Sequence, residues 1–119
     1  LDSAPRGGTD KRTYQMDPLA PKQALAEAKA DLAEGADMLM VKPAAAYLDV
    51  ISAVARATDV PLAAYHVSGE FAMIRFAAAA GAVEERSVVM EITGAIKRAG
   101  ADFVISYFAE QIAEWLTEA

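Results

Sequence analysis

One short pattern occurs twice and constrains the fold more than any other part of the sequence. AEGAD at residues 33–37 and RAGAD at residues 98–102 each join the end of a helix-like segment to a short hydrophobic segment. The glycine suits a helix C-cap, and the run after it has the length and flanking residues of a buried strand. Proteins of the α/β class use this connection to return from a helix to a parallel strand. The repeat therefore predicts an α/β fold with a parallel sheet.

Helix-like and strand-like segments alternate along most of the chain. Short apolar runs between glycine and proline signals predict strands at residues 37–42, 62–67 and 102–107. Helices are expected at residues 21–33, 47–57, 69–80, 84–99 and 108–118. The last helix should bury Ile112, Trp115 and Leu116. This order predicts about three βα units with parallel strands.

The first segment of the chain differs from the rest. It contains two prolines and a Gly-Gly pair, and it shows no sustained apolar period. Such a composition is typical of a loop or a lid. We therefore divide the chain into a lid segment, residues 1–18, and a set of βα units, residues 19–119.

Composition excludes several classes of function. The 119 residues allow one domain, and because they start at Leu1 rather than at methionine, we expect a piece of something larger. With 17 acidic and 11 basic residues and no basic block, neither a nucleic acid nor a membrane is an expected partner. No apolar run approaches the roughly 18 residues that span a bilayer. Without cysteine, the chain holds no disulfide and no thiolate metal site.

Polar side chains lie at the carboxyl ends of all three predicted strands. Lys42 ends the first strand, Ser68 follows the second, and Tyr107 ends the third. Ligands of β/α barrels and of open α/β sheets bind at this edge. The three side chains are therefore expected to project into one site.

Lys42 is the sharpest candidate for chemistry. Period-two alternation places it on the same face as Met38 and Met40. A lysine stem among methionines is partly desolvated, which favours the neutral amine, the form that attacks a carbonyl to give a Schiff base. The alternative is a surface lysine that simply follows a strand.

The other polar residues also have ordinary structural explanations. Ser68 could bind an anion together with helix amides, but a serine at this place is more often a helix N-cap. Tyr107 could equally be a core tyrosine with a satisfied hydroxyl. His66 is the only histidine and has no second ligand at a metal-binding spacing, so we interpret it as structural rather than metal-binding.

Several motifs together resemble one known family. They are GADMLMVKP at 35–43, YLD at 47–49, YHVSGEFAM at 65–73, IKRAGAD at 96–102, TYQMDP at 13–18 and SYF at 106–108. In this order they are similar to porphobilinogen synthase, also called 5-aminolevulinate dehydratase. The resemblance implies the C-terminal portion of a (β/α)8 TIM barrel. It also implies a lyase of heme and tetrapyrrole biosynthesis that condenses two 5-aminolevulinate molecules into porphobilinogen with loss of two waters.

The resemblance also implies roles for individual residues. Lys42 matches the lysine that forms the Schiff base with the P-side substrate, whose carboxylate is held by hydroxyls matching Ser68 and Tyr107. Lys11 and Gln15 fall where the family binds the A-side carboxylate, with Arg12 as the alternative cation. These residues lie in the family's active-site lid, which agrees with the loop prediction for residues 1–18.

Metal and assembly expectations follow from the same resemblance. Glu27 matches the glutamate that helps bind an allosteric magnesium ion through water at a subunit interface in some members. The zinc cluster of other members and the second Schiff-base lysine lie upstream of the matched segment. The resemblance further implies a cytoplasmic homo-oligomer, an octamer in the family.

Three functional hypotheses remain at this point. The leading one is a part of porphobilinogen synthase that is inactive alone, because the A-side lysine and several strands are missing. The second is a free-standing flavodoxin-like binding or signalling module, for which five strands and an acidic or nucleotide-binding loop are expected. The third is a non-catalytic assembly fragment whose strand edges pair with another copy.

Overall fold

The fold is a three-stranded parallel sheet with helices packed on one face, as seen in a computed structural model that describes residues 21–118. The predicted lid, residues 1–18, lies outside the described residues. Lys11, Arg12 and Gln15 lie there as well, so their assignments stay predictions.

Helices and strands alternate in the described residues much as the sequence predicts. The helices are α1 (Pro21–Ala33), α2 (Leu48–Ala57), α3 (Ser68–Ala79), α4 (Glu85–Ala99) and α5 (Ala109–Thr117), and a 3₁₀ turn spans Ala45–Tyr47. The strands are β1 (Leu39–Val41), β2 (Leu62–His66) and β3 (Phe103–Ser106). Each strand is shorter than predicted. β1 stops before Pro43, whose nitrogen carries no hydrogen for ladder pairing. Between residues 21 and 118, no helix has both the length and the apolarity needed to cross a membrane.

The repeated glycine pattern forms the same structure both times. Gly35 and Gly100 have φ angles of 101° and 129°, values that favour glycine. The next amide closes each helix end, at 3.0 Å from Ala36 N to Asp31 O and 3.4 Å from Ala101 N to Ile96 O. These contacts confirm the predicted C-caps and the turn from helix to parallel strand.

The three strands pair in the order in which they occur in the sequence. β1 pairs with β2 and β2 with β3, all in parallel. The register aligns Val41 with Ala64 and Ala64 with Val104. All three strands therefore end at the same edge of the sheet, as the prediction of three βα units requires.

One face of the sheet packs against the helices and forms the main core. Leu39 and Val41 of β1 and Leu62 and Ala64 of β2 are buried there. They contact a group of buried side chains from α1, α2 and α4, namely Ala24, Ala28, Val50, Ile51, Val54 and Ile96. The face of β1 opposite to Met38 and Met40 is thus the core face, as the alternation predicts.

A second cluster surrounds Phe108, which is fully buried between β3 and the last helices. Ile74 of α3 and Val89 of α4 are buried with it, and Ile112 and Trp115 of α5 pack against them. The prediction that Leu116 is buried is wrong, because 61% of this residue is exposed. Helix α5 packs against this cluster through Ile112 and Trp115, and none of its residues is buried.

The opposite face of the sheet, here called the open face, is not covered by any described element. Its side chains include Met38, Met40, Phe103, Ile105 and Tyr107, which are 39% to 47% exposed. Among residues 21–118 the helices cover one side of the sheet, so the side chains on the open face have no layer of described residues above them.

Candidate active site

The carboxyl edge of the sheet brings together the three residues singled out from the sequence. Lys42 directly follows β1, Ser68 begins α3 just after β2, and Tyr107 directly follows β3. Because the strands are parallel and adjacent, the three residues lie side by side at one edge of the sheet. The predicted placement at one edge is therefore observed.

Alternation along β1 gives Lys42 the same face as Met38 and Met40, and Lys42 is exposed to solvent. Met38 and Met40 on the same face are 43% and 47% exposed, so they form no closed apolar surroundings. Among residues 21–118, the expected partial desolvation of Lys42 is not observed. Desolvation requires a layer over the open face, and the described residues supply none.

Ser68 does not cap helix α3. The N-cap position is Val67, no side-chain cap bond is formed, and Ser68 is the first helical residue with an exposed side chain. The more common structural explanation of this serine is therefore wrong. Because the exposed side chain of Ser68 makes no cap bond, its hydroxyl is available to a ligand.

Tyr107 is bound to a second tyrosine that the sequence reading missed. The Tyr65 hydroxyl donates a hydrogen bond to the Tyr107 oxygen over 3.3 Å, and the Phe71 ring lies 5.4 Å from the Tyr107 ring. This hydrogen bond raises the pKa of Tyr65, and desolvation raises it further. Tyr107 is 46% exposed, so the interpretation as a core tyrosine is wrong. Strand alternation, which places Tyr65 on the open face, was the signal available for it.

Glu70 is a second residue that sequence reasoning missed. It is only 6% exposed. Its Oε2 atom accepts a hydrogen bond from the Ala45 amide over 2.8 Å, and its Oε1 atom accepts one from the Val67 amide over 3.1 Å. A glutamate at the third residue of a helix commonly accepts a hydrogen bond from the N-cap amide, so the sequence carries a signal for the bond to Val67. The bond to Ala45 spans 25 residues and has no local signal.

His66 is buried on the helix side of β2, next to Phe108. It is 2% exposed, its ring centroid lies 6.5 Å from that of Phe108, and its Nε2 atom has no hydrogen-bond partner among the described residues. Burial lowers the pKa of His66, while the negative charge of Glu70 opposes this shift. The placement agrees with a structural role.

The lowered pKa of His66 predicts a loss of stability in mild acid. The unfolded chain binds the proton near pH 6.5 and the folded chain only at lower pH, so the free energy of unfolding falls as pH drops below about 6.5. It should be constant, as far as His66 contributes, above about pH 7.5. Urea denaturation across this range, with His66→Gln as the non-titrating control, measures the effect. If the free energy of unfolding depends on pH in the same way in the parent protein and in His66→Gln, the prediction is contradicted.

Glu27 is exposed on α1 and, with Asp31 and Glu34, lines a groove of about 510 Å³ between α1 and β1. Lys42 lines the same groove. Within residues 21–118 no group of three or more histidine, cysteine, aspartate or glutamate side chains has the arrangement to hold a metal ion. The role of Glu27 in a magnesium site stays a prediction.

Known proteins similar to this chain agree on one family. The family model of delta-aminolevulinic acid dehydratase matches residues 1–115. The chloroplastic delta-aminolevulinic acid dehydratase of Physcomitrium patens is 56% identical over 116 residues, which cover 98% of this chain and 27% of that protein. The Escherichia coli K12 enzyme of the same name is 54% identical over 105 residues, covering 88% of this chain and 32% of that protein.

A solved structure shows the same backbone. The crystal structure of delta-aminolevulinic acid dehydratase (porphobilinogen synthase) from Toxoplasma gondii ME49, in complex with the reaction product porphobilinogen, superposes with a TM-score of 0.90 at 50% identity. The match covers 95% of this chain and 32% of that one. The chain thus spans about a third of the length of the relatives it matches.

Proposed function

The chain belongs to the delta-aminolevulinic acid dehydratase family, and we propose that it supplies the P-side half of that family's active site. The reaction joins two 5-aminolevulinate molecules into porphobilinogen with loss of two waters. The observation that carries the proposal is the common edge at which Lys42, Ser68 and Tyr107 follow three adjacent parallel strands.

Lys42 is the nucleophile in this proposal. Its neutral amine adds to the ketone carbon of 5-aminolevulinate, and the resulting carbinolamine loses one water to give an imine. The carbon–nitrogen double bond of the imine replaces the carbon–oxygen double bond of the ketone, and the ketone oxygen leaves as water. The position of Lys42, exposed at the end of β1, leaves its amine accessible to a small keto acid.

Ser68 and Tyr107 are the proposed carboxylate-binding groups. The Tyr107 oxygen accepts the hydrogen bond from the Tyr65 hydroxyl, so the Tyr107 hydroxyl can donate its own hydrogen bond to a substrate oxygen. Hydroxyl donors of this kind bind a carboxylate more tightly than they bind a neutral acceptor. Tyr65 therefore orients Tyr107 in this proposal and does not contact the substrate.

The chain alone is proposed to be inactive. A (β/α)8 barrel takes roughly 250 residues and encloses its site with eight strands. Among the described residues, the three strands leave the open face uncovered. The resemblance implies that the A-side lysine of the family lies upstream of the matched segment. The flavodoxin-like alternative is not favoured, since the sequence and the backbone both match one barrel family.

The test is a chimera of the Escherichia coli relative in which this chain replaces the segment that it matches. We expect the chimera to convert 5-aminolevulinate into porphobilinogen, and we expect no conversion by the 119-residue chain alone. The Escherichia coli protein lacking that segment is the control. Turnover by the chain alone would contradict the proposed inactivity, and a folded chimera without turnover would contradict the proposed function.

Magnesium, assembly and location are further parts of the proposal. Glu27 would contribute to a water-mediated magnesium site at a subunit interface, and the whole protein would be a cytoplasmic homo-oligomer. The exposed position of Glu27 on α1 supports its access to a neighbouring subunit. One relative is named as chloroplastic, so the compartment differs within the family.

A further inference from the structure

Two acidic or basic side chains are buried between residues 21 and 118, namely Glu70 and His66. Burying a carboxylate is costly unless hydrogen bonds compensate for the lost water. Among the described residues, the compensation comes from two backbone amides, Ala45 N at 2.8 Å and Val67 N at 3.1 Å. The carboxylate is thus held by the main chain of two different segments.

The two segments carry candidate substrate-binding groups. Ala45 lies three residues after Lys42, at the start of the 3₁₀ turn that leads from β1 into α2. Val67 directly precedes Ser68 at the start of α3. A further hydrogen bond, from Ala44 N to Tyr65 O at 3.0 Å, attaches the first segment to β2.

We propose that Glu70 is a positioning residue that holds the Lys42 segment and the Ser68 segment in a fixed relation for substrate binding. The inference rests on the proposed function, which makes Lys42 and Ser68 partners around one substrate. Glu70 itself does not touch the substrate. Its contribution is that each of its two oxygens fixes one segment, so the amine and the hydroxyl keep a constant separation.

The chemistry of the carboxylate explains why a glutamate stands here. A carboxylate has two acceptor oxygens and no donor, which matches two amide donors. A glutamine of nearly the same shape has one acceptor oxygen, and its NH₂ group would face the second amide, donor against donor. One segment would then lose its attachment although the side chain still fills the space.

The alternative is that Glu70 only stabilises the fold. In that case Glu70→Gln lowers the melting temperature but leaves the chemistry of each folded molecule unchanged. A positioning role predicts more, since misplacement of a reacting group by about 1 Å can cost about a hundredfold in rate. The two explanations therefore separate in kinetics normalised to the folded fraction.

The experiment compares Glu70→Gln and Glu91→Gln in the chimera. Glu91 is exposed on α4, so the second variant makes the same chemical change without touching the buried amides. Kinetics are measured well below the melting temperature, together with the rate at which borohydride traps 5-aminolevulinate on Lys42. We expect Glu70→Gln to lower kcat/KM and the trapping rate about ten- to a hundredfold, and Glu91→Gln to leave both unchanged.

A second readout needs no activity. In the 119-residue chain, hydrogen exchange at the Ala45 and Val67 amides should accelerate in Glu70→Gln and not in Glu91→Gln. Glu70→Asp keeps the charge but is one methylene shorter, so its kinetics should lie between the parent and the glutamine variant. The aspartate variant also gives a result if the glutamine variant does not fold.

The outcomes separate the two proposals. Normal trapping and kcat/KM in folded Glu70→Gln would overturn the positioning role and leave the proposed function standing. If the unaltered chimera traps no 5-aminolevulinate on Lys42, the proposed function fails, and the exchange data decide whether Glu70 holds the two segments. Unchanged exchange at both amides would overturn the inference in either case.

Discussion

Lys42→Ala is expected to abolish the borohydride-trapped adduct between this chain and 5-aminolevulinate. The amine of Lys42 forms an imine with loss of water, and hydride from borohydride adds to the imine carbon to give a stable secondary amine. Alanine has no nucleophile, so the loss should be complete. Peptide mass spectrometry of the reduced chain locates the adduct, which should be on the peptide that contains Lys42.

Two further variants test whether the adduct is specific to Lys42. Lys42→Arg keeps a positive charge at the end of β1 but forms no imine, so it should also remove the adduct and exclude simple charge attraction as the cause. Lys29→Ala removes an exposed lysine on α1 and should leave the adduct in place. An adduct that persists in Lys42→Ala at the parent level would show that labelling is nonspecific and would refute the assignment.

Phe108→Ala is expected to lower the free energy of unfolding by about 3 to 5 kcal/mol. Phe108 is fully buried, and its ring lies 4.7 Å from that of Phe71 in the cluster that joins β3 to α3, α4 and α5. Removing the ring leaves a cavity that these helices can fill only in part. Small domains are stable by about 5 to 15 kcal/mol, so the loss is a large share of the total.

Phe76→Ala is the matched control. Phe76 is 75% exposed on α3, so the same truncation should change stability by less than about 0.5 kcal/mol. Urea denaturation followed by circular dichroism measures both values. Phe108→Leu provides a measurable midpoint if the alanine variant is unfolded. Equal losses for Phe108→Ala and Phe76→Ala would refute the view that the Phe108 cluster holds this side of the sheet together.

The sequence predicts the elements of this fold well because their signals are local. A glycine at a helix end and an apolar run after it define the turns at Gly35 and Gly100 without knowledge of distant residues. The placement of Lys42, Ser68 and Tyr107 at one edge follows from the same reasoning, since parallel strands end on the same side.

The errors have a common physical origin. The exposure of Lys42 and Leu116 depends on which elements lie above them, and this is a property of tertiary packing. Ser68 is not a cap, because Val67 takes the cap position and its amide is bound by Glu70. The attachment of Glu70 to Ala45 joins segments whose separation in sequence carries no periodic signal.

The pairing of the strands in chain order has a consequence for folding. Neighbouring strands are joined by one helix or by a pair of helices, so aligned residues lie 23 positions apart for Leu39 and Leu62 and 40 apart for Ala63 and Phe103. Closing loops of this length costs chain entropy before the strand pairing contributes, which makes parallel sheets slow to form. We therefore expect the helices to form before the sheet, and β1 to pair with β2, across the shorter loop, before β2 pairs with β3.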